Sequence, residues 1–348
     1  MDVLRGESQG LKSPGAFRRR LVSVSQESMV RAAPLFEGRR LPLLLTPAGQ
    51  GVDLTAWAAA NGDLIAGRLA EHGGLLFRGF DLRTAEEFRR FIATVSGEAL
   101  EYSERSSPRS RVGGANIYTS TDYPAGQSIF VHNENSYKRS FNQKIFFFCE
   151  TPAARGGETP IADCRNVYER IPVAVRERFA EKGWMYVRNY GDGFGLDWQT
   201  AFQTDDRAAV EEHCRRNRIA VEWRDGGRLR TRAVLPATIE HPRTGEVVWF
   251  NHATFFHVST LEAALRDGLL AGFEDDSGLP TNTYYGDGSP IEPETLAALR
   301  EAYRRETVNF PWQRGDILML DNILAAHGRA PYEGERRILV GMTELMNR

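Results

Sequence analysis

Cysteine is scarce in this chain: Cys149, Cys164 and Cys214 are the three among 348 residues, and no two have Cys-x-x-Cys spacing. A disulfide framework is therefore not expected, and the three read as free thiols in a reducing compartment. No stretch of about 18 consecutive apolar residues occurs, which excludes a membrane-spanning helix. The N-terminus lacks the apolar core of a signal peptide, so a cytoplasmic protein is expected. An excess of one charge is missing as well, with 44 basic against 46 acidic residues and a net charge of −2. The longest basic run, Arg18-Arg19-Arg20, is too short to mark a nucleic-acid or membrane surface. There is no internal repeat and no low-complexity tract.

What is present is a sparse set of metal-ligating side chains. His132-Asn133-Glu134 places an imidazole and a carboxylate two residues apart, and on a strand such residues project from one face. A second imidazole, His327, follows far along the chain, after Leu318-Met319-Leu320-Asp321-Asn322. Two histidines and one carboxylate on one side of an iron leave coordination positions open, the layout of non-haem Fe(II) oxygenases. A His-x-Glu triplet alone is weak, because chance supplies it in a chain this long. Context strengthens it: the triplet follows the apolar Ile129-Phe130-Val131 and precedes Lys144-Ile145-Phe146-Phe147-Phe148-Cys149-Glu150, which reads as a buried strand. Gly156-Gly157-Glu158-Thr159-Pro160 then reads as a turn. A basic residue beyond His327, in Arg336-Arg337-Ile338, suits an anionic co-substrate.

Elsewhere, Leu41 to Leu45 and Leu75 to Phe80 read as strands. Asp63 to His72 reads as a helix stopped by Gly73-Gly74. Thr84 with Glu87 forms a capping box for a helix through Val95, and Ser259 with Glu262 is expected to cap another through Leu270. Further helices are expected over 163–182 with a break at Pro172, over 205–217 and over 293–305. Strands are expected over 184–188, 247–250, 317–320 and 338–342. If His132 and His327 share an ion, the intervening chain must return to one site. The expectation is a flexible segment over 1–30 and one domain over 31–348, with a helical insertion at about 163–310. The expected class is mainly β with peripheral helices around a double-stranded β-helix (jelly-roll) core, although the strand pattern alone leaves a plain sandwich open.

The four segments His132-Asn133-Glu134, Gly156-Gly157-Glu158-Thr159, Gly315-Asp316-Ile317-Leu318 running on to His327, and Arg336-Arg337-Ile338 resemble, in order and spacing, the TauD/TfdA family of oxygenases that depend on Fe(II) and 2-oxoglutarate. Lys144 to Pro152, Arg188 to Gly193 and Val248 to His252 resemble the SyrP-like subgroup of non-ribosomal peptide pathways. The resemblance implies the jelly-roll fold, with helices of the insertion roofing the site. It implies His132, Glu134 and His327 as the metal ligands and catalytic residues. It also implies Arg337, helped by Thr159, as the clamp on the distal carboxylate of 2-oxoglutarate; the adjacent Arg336 is expected to point away, as a surface or salt-bridge arginine. O2 and 2-oxoglutarate would be consumed together, yielding succinate, CO2 and an oxidised substrate. Related halogenases put a small residue where Glu134 stands, so hydroxylation is expected here.

Asn135, Arg188, Asn251 and His252 are assigned to the substrate side, with a buried, hydrogen-bonded histidine as the alternative for His252. The pair His252 and His257 lacks an accompanying carboxylate or cysteine and is not read as a second metal site. The implied substrate is an amino acid or amino-acid-derived group, free or tethered to a carrier protein. Desaturation, epoxidation or cyclisation of a free small molecule uses the same cofactors, and a non-catalytic metal-binding barrel is a reading of a different class. A homo-oligomer is left open.

Overall fold

The computed structural model describes residues 29–101, 110–112, 116–120, 123–191, 195–273 and 275–348. Residues 1–28, which hold Arg18 to Arg20 and all of the expected flexible segment over 1–30 except Met29 and Val30, lie outside the described residues, as do Asp192 and Gly193.

The run around Phe146 forms the strand Ser140–Thr151. It sits between the strands Ile317–Asp321 and Arg337–Asn347, antiparallel to both. Its residues are apolar in succession because both of its faces are covered. Ile145, Phe147 and Cys149 join Leu318, Leu320, Ile338, Val340 and Met342 in one buried cluster, together with Ile161 and Ala325 of a second sheet. Phe146 and Phe148 face the other way, into a cluster with Phe88, Phe91 and Ile92 of the helix Ala85–Ser96. That helix opens on the expected capping box between Thr84 and Glu87. Its Phe88 ring stacks on Phe148 at 5.3 Å between centroids.

Two of the sheets face each other across a shared core. The larger has eight strands, in the order Val30–Pro34, Leu43–Pro47, Gly74–Phe77, Ile317–Asp321, Ser140–Thr151, Arg337–Asn347, Ile117–Thr119 and Arg111–Val112. The smaller has four, in the order Thr307–Val308, Ile161–Asp163, Ala325–Arg329 and Ile129–His132. Their shared apolar interior is the jelly-roll core, and the expected mainly β class with peripheral helices holds. The first strand, Val30–Pro34, and the helix Leu54–Ala60 were not expected from the sequence.

The stretch between the strands Ile161–Asp163 and Thr307–Val308 carries the expected helices Cys164–Arg170, Val173–Lys182, Arg207–Arg216 and Pro293–Glu306. It is not purely helical, however. It contains a four-stranded antiparallel sheet in the order Ile219–Trp223, Leu229–Leu235, Trp184–Tyr190 and Thr281–Tyr285. The cap expected at Ser259 is also different. Ser259 lies in the short turn Val258–Thr260, and the helix Ala263–Ala271 starts after Glu262 without a side-chain cap bond. This whole segment covers the smaller sheet, where Trp184, Trp249, Leu299 and Tyr303 bury Val131, Ala162 and Ala326.

Replacing Phe148 by Ala should cost about 3–5 kcal/mol of unfolding free energy in urea titrations, because a fully buried stacked ring leaves a cavity between sheet and helix. A loss below about 1 kcal/mol would contradict that packing.

Candidate metal centre

His132 ends the strand Ile129–His132, and His327 lies in the neighbouring strand Ala325–Arg329 as its direct cross-strand partner. Directly opposed residues bring their side chains together, and the two imidazole centroids are 4.7 Å apart. Glu134 reaches them by another route than the expected shared strand face. The strand stops at His132, and Glu134 lies in the turn that follows. Its carboxylate is nonetheless 3.8 Å from Nε2 of His327. One ligand atom from each of His132, Glu134 and His327 lies within 4.8 Å of the others, so small side-chain rotations suffice for them to share one ion.

The turn is held by Asn322, which is fully buried. Its Oδ1 accepts from the Glu134 backbone N–H at 2.7 Å, and its Nδ2 donates to the Glu134 carbonyl at 2.9 Å and the Asn142 carbonyl at 2.8 Å. Its own carbonyl accepts from Nδ2 of Asn133 at 2.7 Å. A side-chain amide thus pairs with Glu134 as a strand backbone would. The neighbouring Asp321 fixes the same hairpin, accepting from the Ile323 and Leu324 N–H groups at 2.9 and 3.2 Å. Buried His241 meets the other Asp321 oxygen at 3.0 Å.

The donor set fits Fe(II). Nδ1 of His132 lies 2.9 Å from the Phe130 carbonyl. A carbonyl only accepts, so Nδ1 carries the proton and Nε2 keeps its lone pair for a metal. Two neutral imidazoles and one carboxylate form the facial arrangement such a metal takes.

Thr159 and Arg336 line the same cavity as His132, His327, Phe147 and Val340. Thr159 is buried, and its hydroxyl accepts from the Trp312 indole N–H at 3.2 Å. Arg336 donates from Nε to the Gly157 carbonyl at 2.8 Å and from Nη1 to the Ser120 hydroxyl at 3.1 Å. Burial, with the nearby Arg329 cation adding to it, pushes its pKa down to about 10. Arg337 does not face this cavity. It is exposed and pairs with Glu150. Ile338, Val340 and Met342 point into the barrel and Leu339 points out, whereas Arg336 precedes the strand Arg337–Asn347, whose register slips between Arg337 and Ile338. The glycine pair of the Gly-Gly-Glu-Thr motif has a steric role here. Gly156 and Gly157 both have positive φ, and a Cβ on Gly157 would lie 3.0 Å from Cδ of Arg336.

The residues assigned to the substrate side divide. His252 is buried beside the ligands, with its ring 5.4 Å from that of His132 and Nδ1 2.6 Å from the Ser136 hydroxyl. Burial first, then the neighbouring His132, Arg348 and His327, lower its pKa well below the usual imidazole value. Asn251 is spent on the backbone, donating to the Ala237 carbonyl at 2.7 Å and accepting from the Ala253 N–H at 2.9 Å. Asn135, at positive φ, bonds Asn142 at 3.1 Å and lines a different cavity with Lys138 and Met342. Arg188 lies on the sheet of the insertion, over the Tyr190 ring at 4.7 Å. It connects to the ligand rings through Tyr186, Phe256 and His252. Two neighbours of the site were not found in the sequence: Asn322, and Phe255, whose ring stacks on His132 at 4.4 Å.

Asn322→Ala leaves the Glu134 N–H and carbonyl without their buried partner. Metal affinity should fall about 10–100-fold, measured by calorimetric titration with Mn(II), and stability by about 1–3 kcal/mol. Unchanged metal affinity would show that the Glu134 turn holds itself.

Comparison with known proteins identifies relatives over most of the chain. The family described as taurine catabolism dioxygenase TauD, TfdA matches residues 37–343. The dapdiamide synthesis protein DdaC of Enterobacter agglomerans is 41% identical over 276 residues, covering 79% of this chain and 83% of DdaC. A clavaminate synthase-like protein of Arabidopsis thaliana is 29% identical over 327 residues, covering 88% of this chain and 94% of its own. Among solved structures, PvcB of Pseudomonas aeruginosa superposes with a TM-score of 0.55 at 16% identity, over 92% of this chain and 93% of PvcB. PvcB is described as an Fe, alpha-ketoglutarate dependent oxygenase from an isonitrile synthetic pathway; at this identity the likeness speaks for the fold. No helix among the described residues is long and apolar enough to cross a membrane.

Proposed function

The chain belongs to the taurine catabolism dioxygenase TauD, TfdA family, and from that membership we propose that it is a cytoplasmic Fe(II)- and 2-oxoglutarate-dependent dioxygenase that hydroxylates an amino acid or amino-acid-derived group, presented on a carrier protein, in the building of a natural product. The observation that carries this reading is the convergence of His132, Glu134 and His327, with both histidines lining a cavity that Thr159 and Arg336 also line. Bound Fe(II) supplies oxidation of an unactivated C–H bond coupled to decarboxylation of 2-oxoglutarate. The chain's own groups do the rest. Nε2 of His132, Nε2 of His327 and the Glu134 carboxylate would hold the metal. The guanidinium of Arg336 offers a charge-assisted clamp for the distal carboxylate, with the Thr159 hydroxyl beside it. Phe147, Phe255 and Val340 give the site apolar walls, and neutral His252 presents a polar edge toward the substrate.

The presence of Glu134 supports hydroxylation, since a carboxylate fills the position that a halide would need. The relative named for dapdiamide synthesis supports a natural-product setting. A non-catalytic barrel has no use for a half-buried arginine lining the cavity of His132 and His327.

Succinate release under Fe(II), 2-oxoglutarate and air tests the reading. Stimulation by aminoacyl carrier-protein thioesters and not by the free amino acids is the expected result. Stimulation by the free acids alone would refute tethering, and no succinate with any substrate would refute the enzyme. The clamp has its own test. Arg336→Ala should raise the apparent KM for 2-oxoglutarate about 10–100-fold, the loss of one charged hydrogen bond. Arg337→Ala, which removes only a surface pair, should stay within about twofold. The reverse order would return the clamp to Arg337.

A further inference from the structure

Arg300 stands apart from the surface arginines of this protein. It lies on the helix Pro293–Glu306, half-buried, and among the described residues no carboxylate pairs with it. Its Nη2 donates to the hydroxyls of Ser259 and Thr260, the latter at 3.1 Å, and its Nε is buried without a hydrogen-bond partner. Both hydroxyls are neutral, and both have a second bond that sets their direction. Thr260 donates to the Thr254 carbonyl. Ser259 lies 2.7 Å from Nδ1 of His257, which also accepts from the Ser259 N–H at 3.1 Å. His257 is itself held neutral: burial above all, and then the Arg300 charge, lower its pKa to about 4. The result is a cation surrounded by fixed neutral dipoles with no counter-charge. A half-buried guanidinium is costly in that state.

The position of this group relates it to the metal centre. The Ser259–Thr260 turn is tied to Thr254, and the next residue, Phe255, stacks on the His132 ring. On the other side, Tyr303 lies one helical turn after Arg300, and its ring meets that of Phe130 at 5.6 Å. Phe130 is two residues before His132 in the same strand. Arg300 is thus anchored to the two segments that hold the His132 ring.

We infer that Arg300, with Ser259 and Thr260, forms a binding site for one oxyanion of the substrate: the carboxylate of a free acid or the phosphodiester of a carrier-bound arm. This rests on the oxygenase reading for its role, but not for its existence. The guanidinium supplies the charge and Nη1, which makes no hydrogen bond among the described residues and is not buried, the donor, while the two hydroxyls on Nη2 fix its plane.

Calorimetric titration of the metal-free protein, with 2-oxoglutarate present, tests the site using inorganic phosphate and acetate as probes. The wild type should show saturable binding of one of them, weakened at least tenfold in Arg300→Gln, with 2-oxoglutarate affinity unchanged. A preference for phosphate assigns the site to a carrier arm, and a preference for acetate to a free carboxylate. Should Arg300→Gln fail to fold, Arg300→Met, which keeps the aliphatic length without the charge, should show the same loss. Equal binding in wild type and variant, or no saturable binding in the wild type, overturns the proposal. Neither probe is turned over and iron is not needed, so absence of succinate formation would defeat the oxygenase reading without affecting this result.

Discussion

The site depends on one cross-strand pair. Placing His132 directly opposite His327 fixes two of three candidate ligands through backbone hydrogen bonding, so their separation is set by sheet geometry and not by flexible side chains. The third ligand has no strand to hold it. Its position is transferred to Asn322, whose amide satisfies both backbone groups of Glu134 from the hairpin that leads into the His327 strand. The three ligands therefore share a single mechanical frame, although the chain between them runs through the whole insertion.

The rest of the fold serves that frame. The larger sheet supplies the opposite wall through Phe147 and Val340, and its outer face is closed by helices that bury Phe146 and Phe148. The insertion covers the smaller sheet from outside and brings His252 and Phe255 against His132. Cations are distributed around the ligands with different partners. Arg336 faces the cavity and Arg329 donates to the carbonyls of Tyr123, Pro124 and Gln127, while Arg300 faces neutral hydroxyls. In a dry site such groups act over longer range than at the surface, which suits a centre that must gather anionic ligands.

The clustering of His132, Glu134 and His327 was legible in the sequence because the chemistry of a candidate ligand set is carried by residue type and order, which survive without coordinates. The capping box at Thr84 and the helix stop at Gly73 were legible because they are local. The choice between Arg336 and Arg337 was not. It turns on where the strand begins and where its register slips, and Ile338, Leu339 and Val340 are all apolar because both faces are buried, so the pattern marks neither. The same loss of alternation hid the Glu134 turn, since nothing in His-Asn-Glu marks where the strand ends. Asn251 resembled a substrate contact because polar residues amid aromatics attract attention. Its amide is consumed by the backbone, a non-local fact. Asn322 left one signal, a polar Asp-Asn pair directly after an apolar strand, and its meaning needed the partner turn.

The most direct test of this account is a crystal structure of the protein with Mn(II) and 2-oxoglutarate. The account predicts one ion bound by Nε2 of His132, Nε2 of His327 and the Glu134 carboxylate, with the distal carboxylate of 2-oxoglutarate on Arg336 beside Thr159. A metal bound elsewhere, or a distal carboxylate held by Arg337, would contradict it.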